Sequence, residues 1–382
     1  MRELGEDFKI NYGKGKKENE FDNNGKYPVY GANGIIGKSD DYIFEDSKVA
    51  ITCRGATCGN VHLTKPKSWI TNNSLILENS EKINKKYLKE TLIQNSVHAA
   101  ITGTAQPQIT IKKLKTIKYL LPPLPEQEKI AEVLSTVDGA IEKTDKIIEE
   151  SKLAKKGLMQ DLLTKGIGHS EFKEVELGPK KLKVPKNWRV VKIKDLGNVV
   201  TGTTPSTAES SNFGNDYPFV TPEDLGEIKN IFTANRGLSE RGIKKARPLP
   251  SESILVVCIG ATIGKIGFSK TKLATNQQIN SIVCEDGYFS EYIYYAMNLI
   301  LPIIKSMAGN TATPIVNKGE FKEFEVLIPP LPEQKEIAEI LSSIDEKIKK
   351  EKEYKESLKS LKKGLMQDLL TGKVRVNNLI NS

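Results

Sequence analysis

The sequence predicts an α+β chain: two globular mixed α/β blocks joined by two long, coiled-coil-like helices, written as an internal repeat. Three observations predict it. PPLPEQEKIAEVLSTVDGAIEK at 122–143 returns as PPLPEQKEIAEILSSIDEKIKK at 329–350, an offset of 207. Both copies continue with helical apolar spacing and no interrupting proline. The stretches between are rich in glycine, asparagine and threonine and carry short β-branched runs. At 382 residues the chain also exceeds what one hydrophobic core commonly serves.

The repeat extends to KKGLMQDLLTKG at 155–166 and KKGLMQDLLTGK at 362–373, again offset by 207. Aligned without gaps, 122–164 matches 329–371 at 26 of 43 positions. Loops tolerate insertions, so a segment of held length behaves as a rigid spacer. Ile130, Leu134, Val137 and Ile141 fall at 4, 3, 4 spacing, as do Ile337, Leu341, Ile344 and Ile348, with Leu158, Leu162, Leu365 and Leu369 at the far ends. That is a heptad-like seam. It is interrupted by Thr144, Ser151 and Lys155, and by Glu351, Lys355 and Lys362 in the second copy. The expectation is a phase shift there onto Ile147, Ala154, Tyr354 and Leu361. Glu126 and Glu132 near the start suit the helix dipole, and Gly166 and Gly372 are the predicted stops. A helix of about 40 residues is roughly 60 Å long. Its narrow seam needs a partner, and its own copy is the obvious one.

The domain boundaries are then a first block over 1–121, a helix over 122–166, a second block over 167–328, a helix over 329–373 and a tail over 374–382. In the blocks, KVAITC, NSLILE, SILVVCIG, NSIVCE and FEVLIPP read as strands, and KKYLKETLIQNSV and SEYIYYAMNLILPII as helices. The blocks echo one another: CRGATCGN at 53–60 parallels CIGATIGK at 258–265, and GTAQPQIT at 103–110 parallels NTATPIVN at 310–317. The helices are held alike while the blocks diverge.

Formal net charge is +9. Residues 122–165 and 329–372 carry −2 and 0, which leaves +11 for the rest. The basic excess therefore points to a polyanion at the blocks. No run is apolar enough to cross a membrane and no signal sequence opens the chain, so the expected location is the cytoplasm. Four scattered cysteines suit a reducing compartment. Cys53, Cys58 and His62 lack a fourth ligand, and Cys53 ends the apolar run VAITC, so the reading is a small buried thiol with no metal. GATIGK at 260–265 is one residue short of a phosphate loop and is followed by Ile266. No catalytic signature is present and no cofactor is expected in this chain. Polar side chains suited to phosphates and base edges lie in predicted loops. In the first block they are Lys14, Lys16, Lys17, Arg54, Gln106 and Gln108. In the second they are Thr203, Thr204, Arg236, Arg241, Lys244, Lys245, Lys265, Asn276, Gln277 and Gln278.

LPPLPEQEKIAEVLSTVD and its copy, each closed by KKGLMQDLLT, resemble the conserved regions of the specificity subunit of type I restriction–modification systems. VPKNWRVVKIKDLGNVVTGTTPS, YPFVTPEDL, GATIGKIG and TNQQINSIV resemble that family's target recognition domain. The first block lacks the P-x-x-W entry and is a shorter variant. The resemblance implies that each block reads one half of a split double-stranded DNA site. It also implies that the helices pack antiparallel as a ruler about a pseudo-two-fold axis. Two methyltransferase subunits would dock equivalently, and restriction or motor subunits would join them. S-adenosylmethionine, ATP and Mg would belong to those partners. The alternatives are the specificity chain of another restriction class, with a fused methyltransferase–nuclease partner, and a coiled-coil protein scaffold that binds no nucleic acid.

Overall fold

The computed structural model describes residues 1–17, 20–22, 24–78, 82–95, 97–103, 105–226, 228–308 and 314–376. The tail expected over 374–382 lies outside the described residues from 377 onward. Both long helices form, over Leu124–Leu162 and Leu331–Leu369. We call them the first and second struts. Each begins just after a proline pair, where no amide is lost to the helix. Each is succeeded within a few residues by a glycine at positive φ: Gly166 at 66° and Gly372 at 74°.

The chain divides into two compact units, and the division cuts both struts. Unit 1 comprises residues 1–147 and 351–382, and unit 2 comprises residues 148–350. Each unit therefore holds one head, part of one strut and the complementary part of the other.

In unit 1, the head carries a four-stranded antiparallel sheet in the order Lys9–Tyr12, Ser74–Glu78, Val49–Thr52, Val61–Leu63. A three-stranded sheet runs Gly34–Ser39, Tyr27–Gly31, Trp69–Ile70, the last pair parallel. In unit 2, the head repeats this plan. Gly197–Thr201, Ile279–Cys284, Ile254–Val257 and Ile266–Ser269 form the first sheet, extended by Asn230–Ile231. Gly237–Leu238, Phe213–Val220 and Ala274–Thr275 form the second. The predicted helices appear as Lys85–Gln94 and Ser290–Met307. The second head adds a hairpin, Phe172–Leu177 with Lys180–Pro185. The faint echoes in sequence are one topology used twice.

The heads sit on the struts through the repeated motif itself. In unit 1, buried Gln127 donates to the carbonyls of Pro122 at 2.8 Å and Lys82 at 3.2 Å, and accepts from the Asn84 amide at 3.0 Å. In unit 2, buried Gln334 does the same with Pro329, Gly287 and the Phe289 amide. The preceding glutamates are also engaged. Glu126 accepts from Nε and Nη2 of Arg375 at 2.6 and 2.7 Å. Glu333 accepts from the Ile167 amide and the Trp188 indole and meets His169 Nε2 at 2.8 Å. Tyr87 donates to Leu120 O and Tyr292 to Leu327 O, each at 2.9 Å. Each of these polar groups thus has a partner, as burial demands.

Within each unit the strut segments run antiparallel. In unit 1, Lys355 pairs with Asp145, and Lys362 pairs with Asp138 at 2.8 Å, so moving up one strut moves down the other. Ile130, Ala131 and Leu134 pack with Met366, Leu369 and Leu370. In unit 2, Lys155 pairs with Asp345 at 2.5 Å, and Ile337, Ala338 and Leu341 join a core that includes Leu163. Shifting Lys155 and Asp345 by the repeat offset gives Lys362 and Asp138, so the same ion pair recurs.

The seam departs from expectation. It keeps its heptad phase through the polar residues instead of shifting around them. Thr144, Ile148 and Ser151 are buried, and Lys155, Lys355 and Lys362 reach carboxylates on the opposing segment. Tyr354 and Leu361 are exposed, at 54% and 52%, and Ala154 also faces solvent. Leu158, expected in the helix-pair core, is 38% exposed, because Met159, Leu162 and Leu163 turn to the second head's core. Ile130, Leu134, Val137, Ile337, Leu341, Ile348 and Leu369 are buried, and Ile141, Leu162, Ile344 and Leu365 are half-buried.

Candidate nucleic-acid interface

Antiparallel register decides which loops share an end of each sheet. In unit 1, Tyr12 pairs with Leu75 and Thr52 with Ser74. The loops after Tyr12, after Thr52 and before Ser74 therefore leave the same end. The Lys14 amide bonds to Ile70 O at 2.9 Å, which ties the first loop to the neighbouring sheet. A bridge between Arg54 and Gln108 brings residues 105–108 to that end as well. In unit 2, Thr201 pairs with Asn280 and Val257 with Ile279. The Thr203 amide bonds to Thr275 O, and a bridge between Ile259 and Ile315 repeats the closure.

Lys14, Lys17, Arg54, Gln106 and Gln108 are thus gathered at one end of the first head, all exposed. Lys16 is not available in the same way. Its side chain is only 4% exposed, pairs with Asp41 at 2.6 Å and lies 4.0 Å over the Trp69 ring. The hydrogen bonds from Lys16 and Ser39 hold the Asp41 carboxyl below its ordinary value. The charge fastens the loop: Trp69 Nε1 also donates to Lys14 O at 2.9 Å.

In the second head, Thr203, Thr204, Asn276, Gln277 and Gln278 share the corresponding end. Thr204 donates to Gln277 at 2.8 Å and Asn276 to Gln278 at 2.9 Å, so these side chains are held in order. The remaining candidates lie on other elements of the head. Arg241 and Lys245, on Glu240–Lys245, pair with Glu209 and lower its carboxyl. Lys244 is exposed on the same helix. Arg236 stacks over Phe213 at 5.1 Å and Phe219 at 5.7 Å. Lys265 donates to Pro222 O at 3.1 Å and braces a turn.

Three basic residues at the second head escaped the sequence reading. Arg247 donates to Thr201 O at 2.9 Å, at the root of the 202–206 loop. Lys318 is held below its usual value by burial first, then by the neighbouring charges of Lys322 and Arg247. Three cations that repel one another suit a polyanion. The signal was present in RPLP and NKGEFKE, yet nothing local separates these residues from ordinary surface bases.

The thiols and His62 show no ligand geometry. Cys53, Cys58 and Cys258 are buried. Burial pushes Cys53 and Cys58 up, and Cys258 and Cys284 up to about 11. Burial and nearby Lys89 lower His62. Among the described residues no cluster could hold a metal ion, and no helix is long and apolar enough to cross a membrane.

Two topologically equal heads with different loop chemistry, fixed to matched struts, define a protein with two separate recognition surfaces. The family model for the type I restriction modification DNA specificity domain matches residues 1–151 and 185–360, and the chain belongs to that family. It is 30% identical over 405 residues to the type I restriction enzyme MjaVIII specificity subunit of Methanocaldococcus jannaschii, covering 97% of this chain and 92% of that one. The crystal structure of a type I restriction–modification S subunit from M. genitalium shares the fold. Its TM-score is 0.68 at 16% identity, covering 97% of this chain and 95% of that chain. A structure described for complex assembly and conformational transition of a type I system aligns with TM-score 0.54, at 16% identity, over 96% of each chain.

Proposed function

We propose that this chain is the DNA specificity subunit of a type I restriction–modification enzyme, working in the cytoplasm without chemistry of its own. Each head reads one half of a bipartite, asymmetric double-stranded site. The struts set the number of base pairs between the halves and dock two methyltransferase subunits, which restriction or motor subunits join. Methyl transfer from S-adenosylmethionine and ATP- and Mg-dependent cleavage belong to those partners. The observation that carries this reading is the pairing of one head topology with two loop chemistries, on struts that repeat the same ion pair. Heads must differ to read different bases, and struts must match to present equal surfaces to two copies of one partner.

The test is single-molecule methylation sequencing of a host that carries this subunit with its methyltransferase. The expected result is one split motif that disappears when this chain is deleted. Binding of the assembled complex to that motif should weaken steeply with salt, because phosphate contacts release counterions. Methylation without a split motif would remove the reading.

A further inference from the structure

The two bridges that close the recognition end of each head occupy equivalent places. Arg54 and Gln108 form one, and Ile259 and Ile315 the other. Each first member comes two residues after a sheet strand and precedes a glycine at positive φ, Gly55 at 84° and Gly260 at 92°. That conformation keeps the turn glycine and leaves the bridge position free to vary. The framework is therefore the same, and the chemistry is opposite.

In the first head the bridge lines a groove of about 780 Å³ with Arg54, Gly55, Ala56, Gln106, Pro107 and Gln108. Arg54 is exposed, has no ion pair or side-chain hydrogen bond among the described residues, and lies 5.9 Å from the Tyr12 ring. A guanidinium without an acidic neighbour, beside two exposed amides, matches the acceptor edge of a purine. Arginine bonds bidentately to guanine O6 and N7. In the second head Ile315 is 51% exposed at the same place, beside Ile259. Ile259 is half-buried, and an exposed isoleucine such as Ile315 in a polar loop cluster gains nothing from water. Of the base-edge groups in the major groove, the thymine 5-methyl is the apolar one.

We propose that this bridge is the base-class selector of each head: Arg54, supported by Gln108, takes a guanine in one half-site, and Ile259 with Ile315 takes a thymine methyl in the other. The inference rests on the reading of the chain as a DNA specificity subunit. Base analogues test it without disturbing the fold. The wild-type chain, assembled with its methyltransferase subunits, is measured against its methylated motif with each guanine in turn replaced by 7-deazaguanine, and each thymine by uracil. One guanine of one half-site should cost about tenfold in affinity, and Arg54→Ala should abolish that penalty. One thymine of the other half-site should respond to uracil, and Ile315→Ala should abolish that response. Analogue penalties that persist unchanged in both variants would overturn the proposal. So would an Arg54→Ala loss that is equal on all sequences and flattens the salt dependence, since Arg54 would then be a phosphate contact. A wild-type complex with no sequence preference would instead defeat the underlying functional reading.

Discussion

Gln127 and Gln334 are the residues that explain the repeated PEQ. Each is buried and makes three hydrogen bonds, two of which fix a head to its strut, so the sameness of the motif has an internal cause besides any partner. Gln334→Ala would leave the Phe289 amide unpaired in a closed site. We expect a loss of about 1–3 kcal/mol in urea denaturation of the full chain. The thiols predict a pH response. Cys258 and Cys284 have pKa values raised from 9.0 to about 11 by burial, and burial also raises Tyr292 and Tyr295. A raised value favours the protonated form in the folded state. That contribution is whole below pH 9 and is lost as pH rises through 11. Urea midpoints should fall steadily across that window, and an unchanged midpoint would contradict the burial argument. At this scale the candidate sites were partly legible. Lys14, Arg54, Gln106 and Gln108 stand out as polar residues in predicted turns. Lys16 could not be separated from them, because the Trp69 ring that receives it is distant in sequence.

The struts show where element-level reading succeeded and where it stopped. Their length and heptad spacing are set by proline placement and apolar period alone. The fate of the polar interruptions is not, because it depends on the groups that face them. Asp138 and Asp345 stand opposite Lys362 and Lys155, so the lysines remain in the seam and the helix need not rotate. Two substitutions separate the phases. Leu341→Ala, at a fully buried seam position, should cost about 2–5 kcal/mol in stability. Leu361→Ser, on the exposed stripe, should change stability by less than about 0.5 kcal/mol. Comparable losses for both, measured by thermal denaturation, would restore the shifted stripe.

For the molecule as a whole, the ruler reading has a length consequence. Inserting one heptad into each strut, at matched places in the repeat, preserves the seam and adds roughly 10 Å of helix. At 3.4 Å per base pair that is about three more base pairs between the half-sites. Methylation sequencing of this variant should show both halves of the motif unchanged and the gap lengthened. A gap of the original length would detach spacing from the struts. The sequence by itself determined the duplication, the strut length, the α+β class, five strands and two helices of the heads and the location of the basic excess. These are properties of single segments: periodicity, turn residues and charge are written locally. The tertiary structure alone decided that each folding unit takes parts of both struts, that polar residues stay in the seam, and that Arg54 meets Gln108 where Ile259 meets Ile315. Those facts are pairings between residues far apart in the chain, and a pairing is chosen by which surfaces pack together.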